Sequence, residues 1–434
     1  MTTLFRIDTH ARDSIVAALL AMVLAVPFIG LYTVSTDQGL VVQTRWAWVG
    51  WAGLAVLAGR FLLGLARDAL AARRKSRPGP ATGAGAGTKA RDALVAKLAR
   101  GFGFGIALFA VTLPFMPFSD RYIMDLGTTV LIYVLLGMGL NVTVGLAGLL
   151  DLGFVAFYAI GAYSFALLST GLGLGFWTCL PLSGLIAALF GVLLSLPILR
   201  LRGDYLAIVT LGFGEITRIV ILNWQGFTGG PAGVSGIPRP TLFGMSFDRR
   251  PPDGLASFHE VTGIGFSSEH RLIFLYLIAL ALVLVAAWTI NRLRALPVGR
   301  AWEALREDEI ACRSLGINPT ASKVSAYAIG GMLGGFAGCF FAARQGFVSP
   351  ESFGFIESAL ILAIVVLGGM GSQIGVVIAA LFIVLLPEVG REFADFRMIV
   401  FGMAMIAIMV WRPGGLLSQR APTIRLSSRK GAGA

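Results

Sequence analysis

GRAWEALREDEIACRSLGIN, residues 299 to 318, is a charged island between two long apolar stretches, and its reading decides what kind of bundle the chain builds. From Asn291 to Lys323 six basic side chains (Arg292, Arg294, Arg300, Arg306, Arg313 and Lys323) stand against four acidic ones (Glu303, Glu307, Asp308 and Glu309), so the island is charged yet nearly balanced. Pro297 and Gly299 precede it and Gly316, Asn318 and Pro319 follow it, start and stop signals that predict one short helix. At about 100° per residue, Ala301, Ala304, Leu305, Cys312 and Leu315 share one face, with Asp308 as a blemish among them. Glu303, Arg306, Glu307 and Arg313 point the other way. A face of mostly small side chains admits close approach of a partner surface, with the charges read from its rim. A solvated helix between two spans is the plainer reading of the same pattern.

The chain around the island is too apolar for a water-soluble domain. Of 434 residues, 56% are hydrophobic and only 13% charged, where soluble domains carry about 25% charged residues. The apolar runs are about 20 residues long and lack the alternation of barrel strands, so the fold class is an all-α integral membrane protein, a polytopic helical bundle held in lipid. Candidate spans are 14–33, 46–66, 101–118, 126–147, 152–170, 176–199, 205–222, 271–290, 322–343, 356–370, 373–387 and 396–411. Because some are short, the expectation is about 10 to 12 membrane segments, some re-entrant.

The net charge of +12 could point to nucleic acid, but the basic residues sit beside spans and read as topology signals. Residues 67–100 carry Arg67, Arg73, Arg74, Lys75, Arg77, Lys89, Arg91, Lys97 and Arg100 against Asp68 and Asp92, which places that loop in the cytoplasm. If all the candidate segments cross, Arg200, Arg202, the island and the basic C-terminal tail fall on the same side, and 223–270 lies outside. Within the basic loop, Pro78 to Thr88 (PGPATGAGAGT) is a flexible linker by composition. The expected organisation is a two-span extension with its linker at 1–100, a transmembrane domain at 101–417 and a tail at 418–434.

Chemistry on a substrate finds no support. Cys179, Cys312 and Cys339 are widely separated, and His10, His259 and His270 form no catalytic set, so no catalytic residue, metal site or cofactor is expected. Gly83 to Lys89 imitates a phosphate loop, but Thr88 separates Gly87 from Lys89 and Ala90 stands where Ser or Thr belongs. Gly101, Gly103 and Gly105 imitate a dinucleotide fingerprint without a preceding strand.

What recurs is glycine within the apolar segments. Gly137, Gly139, Gly145 and Gly148 lead to Asp151, Gly212 and Gly214 follow Gly203, and Gly368, Gly369 and Gly371 precede Ser372 and Gln373. Glycine allows helices to pack closely, or to break and expose backbone groups along a pathway. The polar neighbours make Asn141, Thr143, Gly145, Gly212, Gly214, Gly371, Ser372 and Gln373 the pathway candidates. The stretches Leu136–Gly148 and Leu367–Gly375 look alike, a hint of an internal repeat. Glu215 and Arg218, three apart, are spaced to neutralise each other on one helix face, or to mark a transport or proton route if Glu215 faces a cavity. Thr228 to Pro238 (TGGPAGVSGIP) is turn-rich, a connector or a lip for an external partner.

Four strings in order carry a resemblance to a known family: GLNVTVGLAGLLDLGFVAFYAIGAY at Gly139–Tyr163, LRLRGDYLAIVTLGFGEITRI at Leu199–Ile219, GRAWEALREDEIACRSLGI at Gly299–Ile317, and FAARQGFVSPESFGF followed by VVLGGMGSQ, ending at Gln373. From about Asp125 to Leu417 the chain resembles the M-type permeases of branched-chain amino acid ABC importers. The resemblance implies a multi-pass protein of the bacterial inner membrane, partnered by a homologous H-type permease, two cytoplasmic ATP-binding subunits and a periplasmic amino-acid-binding protein. It implies that residues 299–318 are the cytoplasmic coupling helix, carried by Glu303, Ala304, Arg306, Glu307, Glu309, Ala311 and Gly316. Against the Glu-Ala-Ala-x-x-x-Gly pattern of ABC importers, Glu309-Ile310-Ala311 has its Gly316 one residue late. A proton-coupled amino acid transporter using Asp151 or Glu215 is the alternative.

Overall fold

The computed structural model describes residues 105–389, apart from 117–119, 199–200, 202, 243–244, 248–255, 264–266 and 268, together with 31–36, 39–44 and the isolated positions 46, 50, 402, 403 and 406. The chain divides into two compact units, Met1–Ala96 and Lys97–Ala434. In the first, strands β1 (Leu31–Thr36) and β2 (Gly39–Thr44) form an antiparallel hairpin. The expected span 14–33 therefore ends in strand; the aromatic and β-branched residues of LYTVST favour extended backbone there. The rest of that span, most of 46–66, the phosphate-loop lookalike, the linker, most of 396–411 and the tail lie outside the described residues.

In the second unit the apolar runs are helices: α1 (Gly105–Phe115), α2 (Arg121–Leu140), α3 (Val155–Gly171), α4 (Phe176–Ile198), α5 (Asp204–Asn223), α6 (Glu269–Ala295), α7 (Pro297–Glu307), α8 (Glu309–Ser314), α9 (Pro319–Gln345), α10 (Phe355–Gly368) and α11 (Gln373–Val389). Among the described residues five helices are long and apolar enough to cross a membrane: α2 with its extension to Leu146, α4, α5, α6 and α9. The shorter α1, α3, α10 and α11 are apolar as well.

The protein is a polytopic helical membrane bundle, and α9 is its centre. Helix α9 packs against α2, α3 and α4 because one side of it is lined with Gly330, Gly331, Gly334, Gly335 and Gly338. A Cβ on Gly335 would stand 2.5 Å from the Ala187 methyl of α4 and 2.7 Å from the carbonyl of Ser183. Small residues let backbones approach closely where lipid offers no hydrophobic drive between helices. At the end of α9 remote from α7, Arg344 donates from Nε and Nη2 to both carboxylate oxygens of Asp125 on α2, at 2.7 and 2.6 Å. Tyr133 on α2 donates to Glu357 Oε2 on α10 at 2.8 Å. At that same end Val234–Ser235 pairs with Phe347–Val348 as a two-residue antiparallel ladder, tying TGGPAGVSGIP to the turn after α9.

Candidate functional site

The charged island forms two helices rather than one. Helix α7 opens with Pro297 in its first turn and lies with Gly299, Trp302 and Leu305 buried. Trp302 is fully covered; its Nε1 donates to the Ser322 carbonyl at 3.1 Å and to Ser325 Oγ at 2.9 Å, both on α9. Asp308 then breaks the helix, with φ −157° and ψ 114°. Its carboxylate accepts from the backbone N–H groups of Ile310 at 2.7 Å and Ala311 at 3.1 Å, which makes it the N-cap of α8. Glu309 accepts from Arg313 at 2.9 Å and from Lys323 of α9 at 3.3 Å, a lysine almost wholly covered. Gly316, at φ +79°, terminates α8 in the left-handed conformation that glycine adopts without strain.

This break corrects the expected apolar face. A new helical phase starts at Asp308, so counting by 100° from Ala301 does not carry across it. Leu305 and Cys312 point into the protein, whereas Ile310 and Leu315 are 64% and 79% exposed, with Ala311 exposed beside them. The aspartate that looked like a blemish is the hinge. Ala304 is half-buried, and Glu307 and Gly316 are exposed.

The inner charges of α7 reach two breaks in the transmembrane helices. Arg306 Nη1 donates to the Gly145 carbonyl at 2.6 Å. Arg294, in the last turn of α6, donates from Nη2 to Glu303 Oε1 at 3.1 Å and from Nη1 to the Gly371 carbonyl at 3.3 Å. Gly145 lies in a buried π-helical turn, Asn141–Leu146, that continues α2; such widened turns disrupt the regular ladder and concentrate at functional sites. Gly371 lies in the turn between α10 and α11, and its N–H donates to Asn141 Oδ1 at 2.8 Å. A Cβ on Gly148, at φ +72°, would meet Arg306 Cγ at 2.8 Å and Cα at 3.1 Å, so the arginine stem rests directly on the backbone after the π-turn. Ser372 Oγ accepts from Gly375 N–H at 3.1 Å and caps α11.

Four of the pathway candidates, Asn141, Gly145, Gly371 and Ser372, therefore meet where the two look-alike stretches touch. Thr143 and Gln373 lie beside them with no part in these contacts, and Gly212 and Gly214 are on α5. The Thr143 hydroxyl turns back to the Leu140 carbonyl at 3.0 Å, and Gln373 Nε2 is buried with no hydrogen-bond partner among the described residues. Gly214 packs on Gly153, a Cβ there standing 3.1 Å from the Gly153 Cα, and Gly212 faces open space. The segment after the π-turn runs non-helically through protein, as backbone at membrane depth must. In it Asp151 is fully buried, with Oδ1 accepting from Gly153 N–H at 2.9 Å and Oδ2 without a hydrogen-bond partner among the described residues. Leu152 donates to Thr210 Oγ1 of α5 at 3.0 Å. On α5 itself, Arg218 Nε donates to Glu215 Oε2 at 3.0 Å, the two side chains being 32% and 37% exposed.

Residues 122–409 match the family model described as the branched-chain amino acid transport system / permease component. The chain belongs to that permease family. Residues 9–115 match a second model, a domain of unknown function, DUF3382. The permease is 50% identical over 428 residues to the high-affinity branched-chain amino acid transport system permease protein LivM of Escherichia coli (strain K12), covering 96% of this chain and 97% of that one. It is 49% identical to the protein of the same name from Salmonella typhimurium, covering 98% of each. The autoinducer 2 import system permease protein LsrC of Klebsiella pneumoniae is 29% identical over 52% of this chain and 60% of its own. No solved structure matches.

Arg294 and Trp302, like Asp308 and Lys323, contribute to this permease's island and were left out of the site by sequence reasoning. Arg294 precedes Glu303 by nine residues and sits on another helix, so helical spacing does not pair them. Trp302 carried a signal, a single large aromatic inside a charged island, whose ring an amphipathic helix buries.

Proposed function

We propose that this chain is the membrane permease subunit of an ATP-driven importer of branched-chain, apolar amino acids in a bacterial inner membrane. The observation that carries the reading is the near-full-length identity of 50% with the E. coli branched-chain amino acid permease. In this reading the partners are a homologous H-type permease, two cytoplasmic ATP-binding subunits and a periplasmic amino-acid-binding protein, and the chain has no ATPase site of its own. The geometry supplies a route for force. The ATPases grip the exposed side of α8 at Ile310, Ala311 and Leu315, with Glu307 and Gly316 beside them, and Ala304 flanks the contact. Glu303, Arg306 and Glu309 act on the inner side: Arg306 pulls on the π-turn, Glu303 works through Arg294 on the α10–α11 turn, and Glu309 holds α9 by Lys323. Alternating access follows when those two breaks shift together.

The test is uptake of labelled leucine into liposomes holding the permease with all its partners. Uptake is expected only with ATP inside the ATPase compartment and binding protein on the other face. Uptake driven by a proton gradient without ATP overturns the reading in favour of a proton-coupled transporter.

A further inference from the structure

Helices α3 and α10 are too short to cross a bilayer: at 1.5 Å per residue they run about 26 and 21 Å, against a hydrocarbon core of about 30 Å. Their starts meet, because Ser358 Oγ of α10 donates to the carbonyl of Leu152, just ahead of α3, at 2.5 Å. The meeting point lies at mid-depth: Glu357, next to Ser358, accepts from Tyr133, which stands about 18 and 20 Å from the two ends of the span Arg121–Leu146. Broken helices that meet at mid-depth are the setting in which transporters hold their substrates. Here the setting contains a carboxylate without a counter-charge. Tyr133 donates to Glu357 Oε2 at 2.8 Å, while among the described residues Oε1 has no hydrogen bond and no cation pairs with the side chain. Glu357 and Tyr133 are half-buried, and Oε1 is not sealed from solvent. On α3, Tyr158 is only 5% exposed, yet its hydroxyl makes no hydrogen bond among the described residues and keeps contact with solvent, so a space opens there within the bundle. Glu357 and Tyr133 lie within electrostatic reach of that phenol. Phe341 and Phe353 pack on its ring, with centroids at 5.4 and 5.1 Å, and give the space an apolar wall.

We infer that Glu357 holds the ammonium group of the transported amino acid at mid-membrane, with the Tyr158 hydroxyl as a second acceptor and Tyr133 as the residue that positions the carboxylate. A carboxylate at this depth belongs with a partner and not against acyl chains. An ammonium supplies that partner, and of its three donors Glu357 Oε1 and the Tyr158 oxygen take two. Branched-chain amino acids differ in their apolar side chains and share the ammonium group, so one site of this kind serves them all. The carboxylate is paired when substrate arrives and bare when it leaves. This inference rests on the proposed amino acid import.

The experiment uses the complete reconstituted complex with labelled leucine and reads leucine imported per ATP hydrolysed. Glu357→Gln keeps the size of the side chain and the acceptor for Tyr133 but removes the charge. Its ratio is expected to fall about tenfold or more, the class of a lost charge-assisted bond, while leucine-loaded binding protein still stimulates hydrolysis. Glu357→Asp retains the charge and is expected to keep more of the ratio than Glu357→Gln. Tyr158→Phe removes only a hydroxyl without a hydrogen bond among the described residues and is expected to lower the ratio; it decides the matter should the Glu357 variants fail to assemble. Import and hydrolysis that fall together with the ratio unchanged, or a parental ratio in Tyr158→Phe, overturn the inference and leave Glu357 a carboxylate that serves the first turn of α10. A parent complex that hydrolyses ATP but imports no leucine overturns the import reading itself.

Discussion

Helices α7 and α8 are adjacent in sequence, similarly charged and joined by one residue, yet they face opposite ways. Helix α7 buries Trp302 and Leu305 and commits Glu303 and Arg306 to partners inside the same chain, whereas α8 leaves Ile310 and Leu315 open. The difference teaches that one island holds two devices: an anchor read by the permease itself, and an outward side that the proposed function assigns as a handle for another subunit. Charge content does not distinguish them; where each helix sends its large side chains does.

The sharpest way to break the comparison is at the anchor. Trp302→Ala removes a fully buried aromatic and its two hydrogen bonds, a change of the class that costs about 3–5 kcal/mol. Thermal unfolding of the purified permease should show a clearly lowered midpoint, and an unchanged midpoint would mean that α7 is not held by that side chain. Arg306→Met keeps the stem over Gly148 and removes the donor to the Gly145 carbonyl, a charge-assisted bond worth about 1.5–3 kcal/mol. ATPase subunits should co-purify as with the parent while leucine-stimulated ATP hydrolysis falls about tenfold or more; loss of co-purification instead would place Arg306 in the handle. Leu315→Asp is the mirror experiment. Its side chain is 79% exposed, so folding should be untouched and ATPase affinity should drop about tenfold, roughly 1.4 kcal/mol. Equal ATPase binding by parent and variant would dismiss α8 as the docking helix.

The smallest effect is one of thiol reactivity within α8. Burial, then the nearby Asp308 and Glu309 carboxylates, push the Cys312 thiol up. Since the thiolate is the nucleophile, alkylation at neutral pH should be slower than for an ordinary thiol and should climb as pH rises towards the raised value. A cysteine placed by Arg313→Cys on the exposed side should label faster and be shielded by bound ATPases. Equal rates at the two positions would erase the inner and outer faces of α8.

Much of this bundle was legible in sequence, because lipid imposes length and apolarity on every span. The expected 176–199, 205–222, 271–290 and 322–343 coincide with α4, α5, α6 and α9 to within a few residues at their ends. The break inside the island was legible in principle: Asp308 before Glu309-Ile310-Ala311 is an N-cap signal, outweighed in the reading by the stronger Pro and Gly signals at the flanks. What could not be read is the partnership of Arg306 with Gly145, 161 residues away. Local periodicity carries no information about which carbonyl a broken helix leaves available to a distant guanidinium. Glycine recurrence and polar neighbours pointed to Asn141, Gly145, Gly371 and Ser372 separately, and only the tertiary packing of α2 against α10 and α11 puts them in one place.

The bond from Gly371 N–H to Asn141 Oδ1, at 2.8 Å, sets a tolerance. Such a bond is lost beyond about 3.5 Å, so a separation of donor and acceptor by about 0.7 Å breaks it. The Asn141 amide is the side chain that stands between the two backbones, and it fills the space a Cβ on Gly145 would need. The two turns are therefore coupled through one amide group, and any side chain added at Gly145 displaces it.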